Sequence, residues 1–248
     1  MNRKRRYRRG YPVALLVGLE ADHAVLWHVF SRVVKLSVRL ELDGRRSVEK
    51  SVYNFYESIV DAIKTPINGG TRSIIAAAPP RTPYTSAFLD HIQKHHRYLT
   101  QSKGSNRVHF SELVGSADNL TEVAELVKTK KFTDLVEETT SNEADQLVAL
   151  LEKHLYNNGN SVVLYSLKEI EDMVYSLEKG RATGTEYLLL TDKYLADSKQ
   201  KNRIHRLMQI ASNKKVKTRV VNAETTAGNR ISQFEGLVFF TVPFKQLD

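Results

Sequence analysis

The chain has no cysteine among its 248 residues, so it carries neither a disulfide nor a thiolate metal site. It also lacks any apolar run near the ~18 residues that a helical membrane span requires. The longest such runs, Val13 to Val17, Tyr187 to Leu190 and Leu237 to Phe240, are strand-sized. There is no Gly-x-x-x-x-Gly-Lys-Ser/Thr loop, no Gly-x-Gly-x-x-Gly after a strand, and no His-Glu-x-x-His. The standard phosphate cradles and the zinc-protease helix signature are thus absent. The opening "MNRKRRYRRGYPVALLVG" has the basic-then-apolar order of a secretory leader. Gly18, Glu20 and Asp22 break the apolar block, however, and no small-residue cleavage site follows, so the cytosol is the default compartment.

What the chain does contain is positive charge, unevenly placed. Of the net +9, six charges come from Arg3, Lys4, Arg5, Arg6, Arg8 and Arg9, so residues 1–10 form a basic arm on a mildly basic body. An arm of this kind suits a polyanion, and nucleic acid leads. The apolar share of 41% is that of a globular protein, and the length suits two domains.

The hydrophobic pattern predicts an α/β protein. "VALLVG", "HAVLWHVF" and "VVKLSVRLEL" read as three consecutive strands, the last alternating through Val34, Leu36, Val38, Leu40 and Leu42. A helix is expected from Ser47 as its cap, with Val48, Val52, Phe55, Tyr56, Ile59, Ala62 and Ile63 at helical spacing. Gly69-Gly70 turns the chain into the strand "SIIAAA", ended by Pro79-Pro80. A helix over "YTSAFLDHIQKHHRYL", a weaker strand at "RVHFSELV" and a helix at "LTEVAELVKT" complete a region that predicts a ribonuclease H-like mixed sheet over 11–136. The chain restarts near Glu138. Thr140 and Glu143 have the spacing of a capping box, ahead of the stripe Ala144, Leu147, Val148, Leu151 and Leu155. From there helices and strands alternate, with Ser166 and Glu169 as a further cap pair and Gly180 as a helix stop, which predicts an αβα sandwich over 137–248.

Candidate catalytic groups are sparse. Ribonuclease H-like nucleases hold two metal ions on carboxylates that begin inside the first strand. Here that strand has no acid before Glu20, so nuclease activity is not expected. His91, His95 and His96 share a predicted helix, and the 91/95 pair has ligand spacing. The adjacent Asp90 points about 100° away from His91, so the three are read as exposed helix-surface histidines and no metal is assigned.

The order of elements, together with "SIIAAAPP", "YTSAFLDHI", "VGSADNLTEVAEL", "VVLYSLKEIEDMVYSLEKGRATGTEYLLLTDKYL" and "VVNAETTAGNRISQFEGLVFFTVPF", resembles Pelota and the class I peptide-release factors. The resemblance runs from Tyr11 to Phe244 and corresponds to that family's central and C-terminal domains. No counterpart of the family's N-terminal Sm-like domain is expected in this sequence, where only the arm precedes Tyr11. Where release factors carry a Gly-Gly-Gln loop, this chain reads "LELDGRRSVEK", so peptidyl-tRNA hydrolysis is not expected. Arg45 and Arg46 resemble a reduced form of Pelota's basic loop, which implies contact with RNA. The family's Pro-Gly-Phe becomes Pro79-Pro80-Arg81, a candidate partner-binding turn.

The resemblance implies a ribosome-binding factor for stalled or idle ribosomes, contacting rRNA and tRNA. Its implied partners are an elongation-factor-type GTPase and a recycling ATPase, with no cofactor and no membrane. Two alternatives stay open. One is a Vms-type release factor or nuclease using Ser47 and Glu49. The other is a ribosome-occupying regulator of the full-length rescue factor.

Overall fold

The structure, a computed structural model, describes residues 10–101, 107–156, 162–177 and 184–243. The basic arm through Arg9 and the expected stop at Gly180 lie outside the described residues. The chain forms two compact units, one ending at Val136 and the other beginning at Glu137. Among the described residues no helix is long and apolar enough to cross a membrane.

In the first unit, β1 (Pro12–Leu19), β2 (His23–Phe30) and β3 (Val34–Glu41) form an antiparallel meander. The helix α1 (Glu49–Asn68) then crosses to β4 (Ser73–Ala78), which pairs parallel with β1. The helices α2 (Tyr84–His95) and α3 (Arg97–Thr100) lead to β5 (His109–Val114), parallel with β4. The sheet order β3-β2-β1-β4-β5 is that of a ribonuclease H-like sheet. Its inner strands are continuous apolar runs because both faces are covered. Leu15, Val17, Leu26, Ile74 and Ala76 pack with Phe55, Ile59, Phe88 and Ile92 of α1 and α2. Leu16, Val25, Trp27, Ile75 and Ala77 pack on the other face with Val123 and Leu126 of α4 (Leu120–Leu126) and with Phe132.

The expected alternation of β3 fails at one point. Leu26 faces Val38 while Trp27 faces Leu36, so Ser37 is an extra residue and the strand bulges there. The bulge reverses parity: Val34 packs with one core, Val38, Leu40 and Leu42 with the other, and Leu36 is left 57% exposed on this edge strand.

The capping box expected at Thr140 and Glu143 is not formed. Both residues lie inside α5, a 27-residue helix over Lys130–Tyr156. Nothing from Lys130 onward breaks a helix, since the segment contains neither Gly nor Pro. Glu143 instead pairs with Arg219. Ser166 stands at the N-cap of α6 (Leu167–Ser176), but its side chain makes no capping hydrogen bond.

The second unit has the sheet order β6-β9-β7-β8, from β6 (Val163–Leu164), β7 (Gly184–Thr191), β8 (Lys217–Val221) and β9 (Leu237–Pro243). On one face Tyr187, Leu189, Val238 and Phe240 pack with Ala144, Leu147 and Leu151 of α5 and with Ile231 of α9 (Thr226–Ser232). The alternate residues Leu188, Leu190, Leu237 and Phe239 are equally buried. The opposite face belongs to α6 and α8 (Lys201–Asn213), through Ile170, Val174, Ile204, Leu207 and Met208. The short α7 (Asp192–Asp197) follows β7 directly, capped by Thr191. The result is the αβα sandwich that the sequence predicts.

Candidate functional site

In open sheets with parallel strands, ligands are met at the carboxyl ends of the strands, where loops converge. β1, β3, β4 and β5 all point the same way, because β2 is antiparallel to both β1 and β3. Their carboxyl ends therefore bring together the turn 20–22, the loop 42–48, the turn 79–83 and the loop 115–119. The two candidate motifs of the sequence, Arg45-Arg46 and Pro79-Pro80-Arg81, share this end of the sheet.

The loop 42–48 is anchored at its root. Leu42 N–H donates to the Asp22 carbonyl at 2.7 Å, and Gly44 takes a φ of +103°, a region in which a Cβ is strained. Arg46 then folds back over the β1–β2 turn. Its Nε donates to the Ala21 carbonyl at 2.5 Å and its Nη2 donates to the Glu20 carbonyl. Its guanidinium lies 4.1 Å from the centre of the Tyr84 ring and 5.6 Å from that of Phe55. Burial raises the neighbouring Tyr56 phenol, with Arg46 opposing that rise. The two arginines thus differ: Arg46 fastens the loop to α2, and Arg45 is exposed at its tip. Ser47 is not the cap of α1. The N-cap is Val48, without a side-chain hydrogen bond, while Glu49 occupies the first turn, where an acid suits the helix dipole.

The turn after β4 is tight. Thr82 Oγ1 donates to the Pro79 carbonyl at 2.8 Å, and Arg81 adopts a φ of 65°. Such a left-handed residue costs about 1–2 kcal/mol, which fixes the direction of its exposed side chain's departure. Tyr84, immediately after this turn, is the residue that joins it to Arg46.

Around the β1–β2 turn lies a polar network absent from the sequence reading. His23 Nδ1 is 2.7 Å from Asp22 and its Nε2 is 2.8 Å from Asp118, which also accepts from Arg39 at 2.9 Å. Burial works to lower the His23 imidazole, but the hydrogen bonds to Asp22 and Asp118 outweigh it and hold its pKa above the usual value. Asp22 and Asp118 are held below the carboxylate range, chiefly by the hydrogen bond each shares with His23. The loop 115–119 closes onto β1 at Gly18, where a Cβ would lie 2.8 Å from the Ala117 carbonyl. The indole of Trp27 donates to that same carbonyl at 2.7 Å.

The histidines of α2 are not the exposed surface residues expected. His91 and His96 are buried, His95 is exposed, and the helix stops at His96. Both buried rings direct Nε2 at the same oxygen of Glu57 on α1, each at 2.9 Å. Among the described residues this is the one group of three side chains with metal-ligating atoms mutually within reach, all within 4.8 Å. Burial lowers the His91 imidazole despite the hydrogen bond with Glu57. Burial works to raise the Glu57 carboxyl, but hydrogen bonds from His96 and His91 hold it below its usual range. One signal was legible: His91 lies three residues after the core residue Phe88, on the buried face of the helix.

No protein-family model and no curated protein matches this chain. Among solved structures, an archaeal Pelota, described as ribosome-bound with ABCE1, aligns with a TM-score of 0.54 at 17% identity. That alignment covers 92% of this chain and 61% of the other. The fold is Pelota-like. Dom34 from S. cerevisiae, described as a termination-like factor interacting with Hbs1, aligns at a TM-score of 0.47 and 20% identity, over 95% of this chain and 64% of its own. This Pelota-like chain thus spans about three fifths of the length of the proteins it matches.

Proposed function

We propose that this chain is a ribosome-binding factor of Pelota type, serving the rescue or recycling of stalled or idle ribosomes in the cytoplasm without hydrolysing peptidyl-tRNA. The observation that carries the reading is the loop 42–48, at the carboxyl end of a Pelota-like sheet. There it offers an exposed arginine beside an anchored one, and no Gly-Gly-Gln. Arg45 contacts ribosomal or transfer RNA backbone, with Arg46 holding the loop in register and the arm through Arg9 adding phosphate contacts elsewhere. Pro79, Pro80 and Arg81, at the same end, contact a protein or RNA surface of the bound complex. The second unit docks an elongation-factor-type GTPase. One archaeal Pelota of similar fold is described with the ribosome and ABCE1, which supports a recycling ATPase as a further partner.

Ribosome co-sedimentation at fixed salt tests this directly. Arg45→Glu is expected to weaken binding by about tenfold, the scale of one reversed charge-assisted contact of ~1.4 kcal/mol. Arg46→Ala is expected to weaken binding together with fold stability. Stalled complexes carrying a labelled peptide are expected to keep it when the protein is added. Ribosome binding indifferent to both substitutions, or peptide release abolished by Glu49→Ala, overturns the reading.

A further inference from the structure

We propose that Glu57, His91 and His96 bind one divalent transition-metal ion of the zinc class, which clips α1 to the end of α2. The inference does not rest on the ribosomal role. Glu57 lies eight residues into α1, about 12 Å along its axis from Glu49, away from the loops at the sheet end.

The geometry is close to that of a ligand set. Zinc takes imidazole nitrogen and carboxylate oxygen at about 2.0–2.2 Å, so tetrahedral ligand atoms lie about 3.3–3.5 Å apart. Here the Glu57 oxygen is 2.9 Å from both Nε2 atoms and all three atoms lie within 4.8 Å. Admitting an ion requires the Glu57 oxygen to withdraw by about half an ångström and the two imidazole nitrogens, within 4.8 Å of the other ligand atoms, to close by up to about 1.3 Å, movements of side-chain torsions and of the helix end that carries His96.

As a hydrogen-bond network the cluster shares one acceptor: a single carboxylate oxygen takes both imidazoles, each at 2.9 Å. An ion bound by all three replaces that shared contact with one bond to each side chain. The flanking surface is built of rings: Tyr53 and Tyr56 stand 5.1 Å and 5.3 Å from His91, and Tyr98 stands 5.8 Å from His96.

The donor set selects the ion. Two imidazoles and one carboxylate suit zinc and its neighbours, whereas magnesium and calcium demand oxygen ligands in greater number. The side chains of His91 and His96 are 6% and 10% exposed, but that of Glu57 is 31% exposed, so the site opens to solvent on the carboxylate side. Water supplies the fourth ligand there. His95, exposed and with its ring 4.8 Å from that of His91, stands at the rim and is not a ligand.

The test uses the full chain without a histidine tag, dialysed against a chelator and titrated with zinc by calorimetry. One ion per chain is expected, accompanied by a rise in Tm. Cobalt is expected to give the visible absorption of a four-coordinate ion. Glu57→Gln and His96→Gln are each expected to lower zinc affinity by more than the roughly 10–100-fold typical of losing a second-shell partner, while His95→Ala leaves it unchanged. Circular dichroism checks that each variant is folded. Should a histidine variant unfold, Glu57→Gln, which keeps the shape of the side chain, carries the decision with the cobalt spectrum of the unaltered protein. No zinc uptake, or uptake retained in Glu57→Gln, overturns the proposal. A loss confined to His95→Ala overturns it too, by assigning the ion to the surface.

Discussion

At the scale of single residues, two polar contacts govern more than their size suggests. Glu143 and Arg219 form a two-pronged ion pair at 2.6 Å and 2.9 Å, with side chains only 5% and 12% exposed. A buried pair of this kind adds little over an apolar substitute, yet breaking one half strands the other charge. Glu143→Ala is therefore expected to cost about 3–5 kcal/mol in urea unfolding, and replacing both partners by apolar residues to cost much less. His23 offers a pH signature. Because its folded pKa is raised, its contribution is present below the unfolded value of about 6.5 and is lost as pH rises through the folded value. Asp22 and Asp118 favour its proton and the nearby Arg39, itself paired with Glu41, opposes it. The difference in unfolding midpoint between the parent and His23→Gln should accordingly shrink from acidic to alkaline buffer. A difference independent of pH would show that the network acts only through packing.

Elements were more legible in the sequence than the contacts between them. Strands β1, β4 and β7 announce themselves through short apolar runs because helices cover both their faces. Two of the failures share a cause, dependence on something distant in the chain. The bulge at Ser37 is set by pairing with β2, and the Glu57 cluster by the packing of α1 against α2. Thr140 and Glu143 spelled a helix start, but a capping box serves only the first turn of a helix, and α5 has already begun at Lys130. Its apolar stripe was also overread by one residue. Leu147 is wholly buried while Leu155 is 43% exposed. Leu147→Ala should thus destabilise the protein by about 2–5 kcal/mol, whereas Leu155→Ala should stay within about 0.5 kcal/mol, both read from denaturant midpoints.

At the scale of the whole molecule, charge and fold divide the labour. Arg3, Lys4, Arg5, Arg6, Arg8 and Arg9 carry six of the net nine positive charges. If all six meet phosphates, each releases about 0.7–0.9 of a counterion, so log K against log salt should steepen by roughly 4 to 5 from the arm. Removing residues 1–10 should flatten ribosome binding by that slope. An unchanged slope would remove the arm from the interface and leave recognition to the sheet end. The candidate loop there was half legible. Arg45 and Arg46 stood out as adjacent charges, but their division into tip and anchor needed Tyr84 and the Ala21 carbonyl, which only folding brings near.

The fastening of Arg46 across Tyr84 carries a consequence for how such a protein can change over time. Exchanges at Arg45 alter what the tip presents while the guanidinium of Arg46 keeps its hold on the turn, whereas Gly44 is closed to change, since a Cβ there would lie 2.6 Å from Ser51 of α1. A lineage can therefore retune the tip through Arg45 alone, and a laboratory library confined to that position should return folded proteins at high frequency.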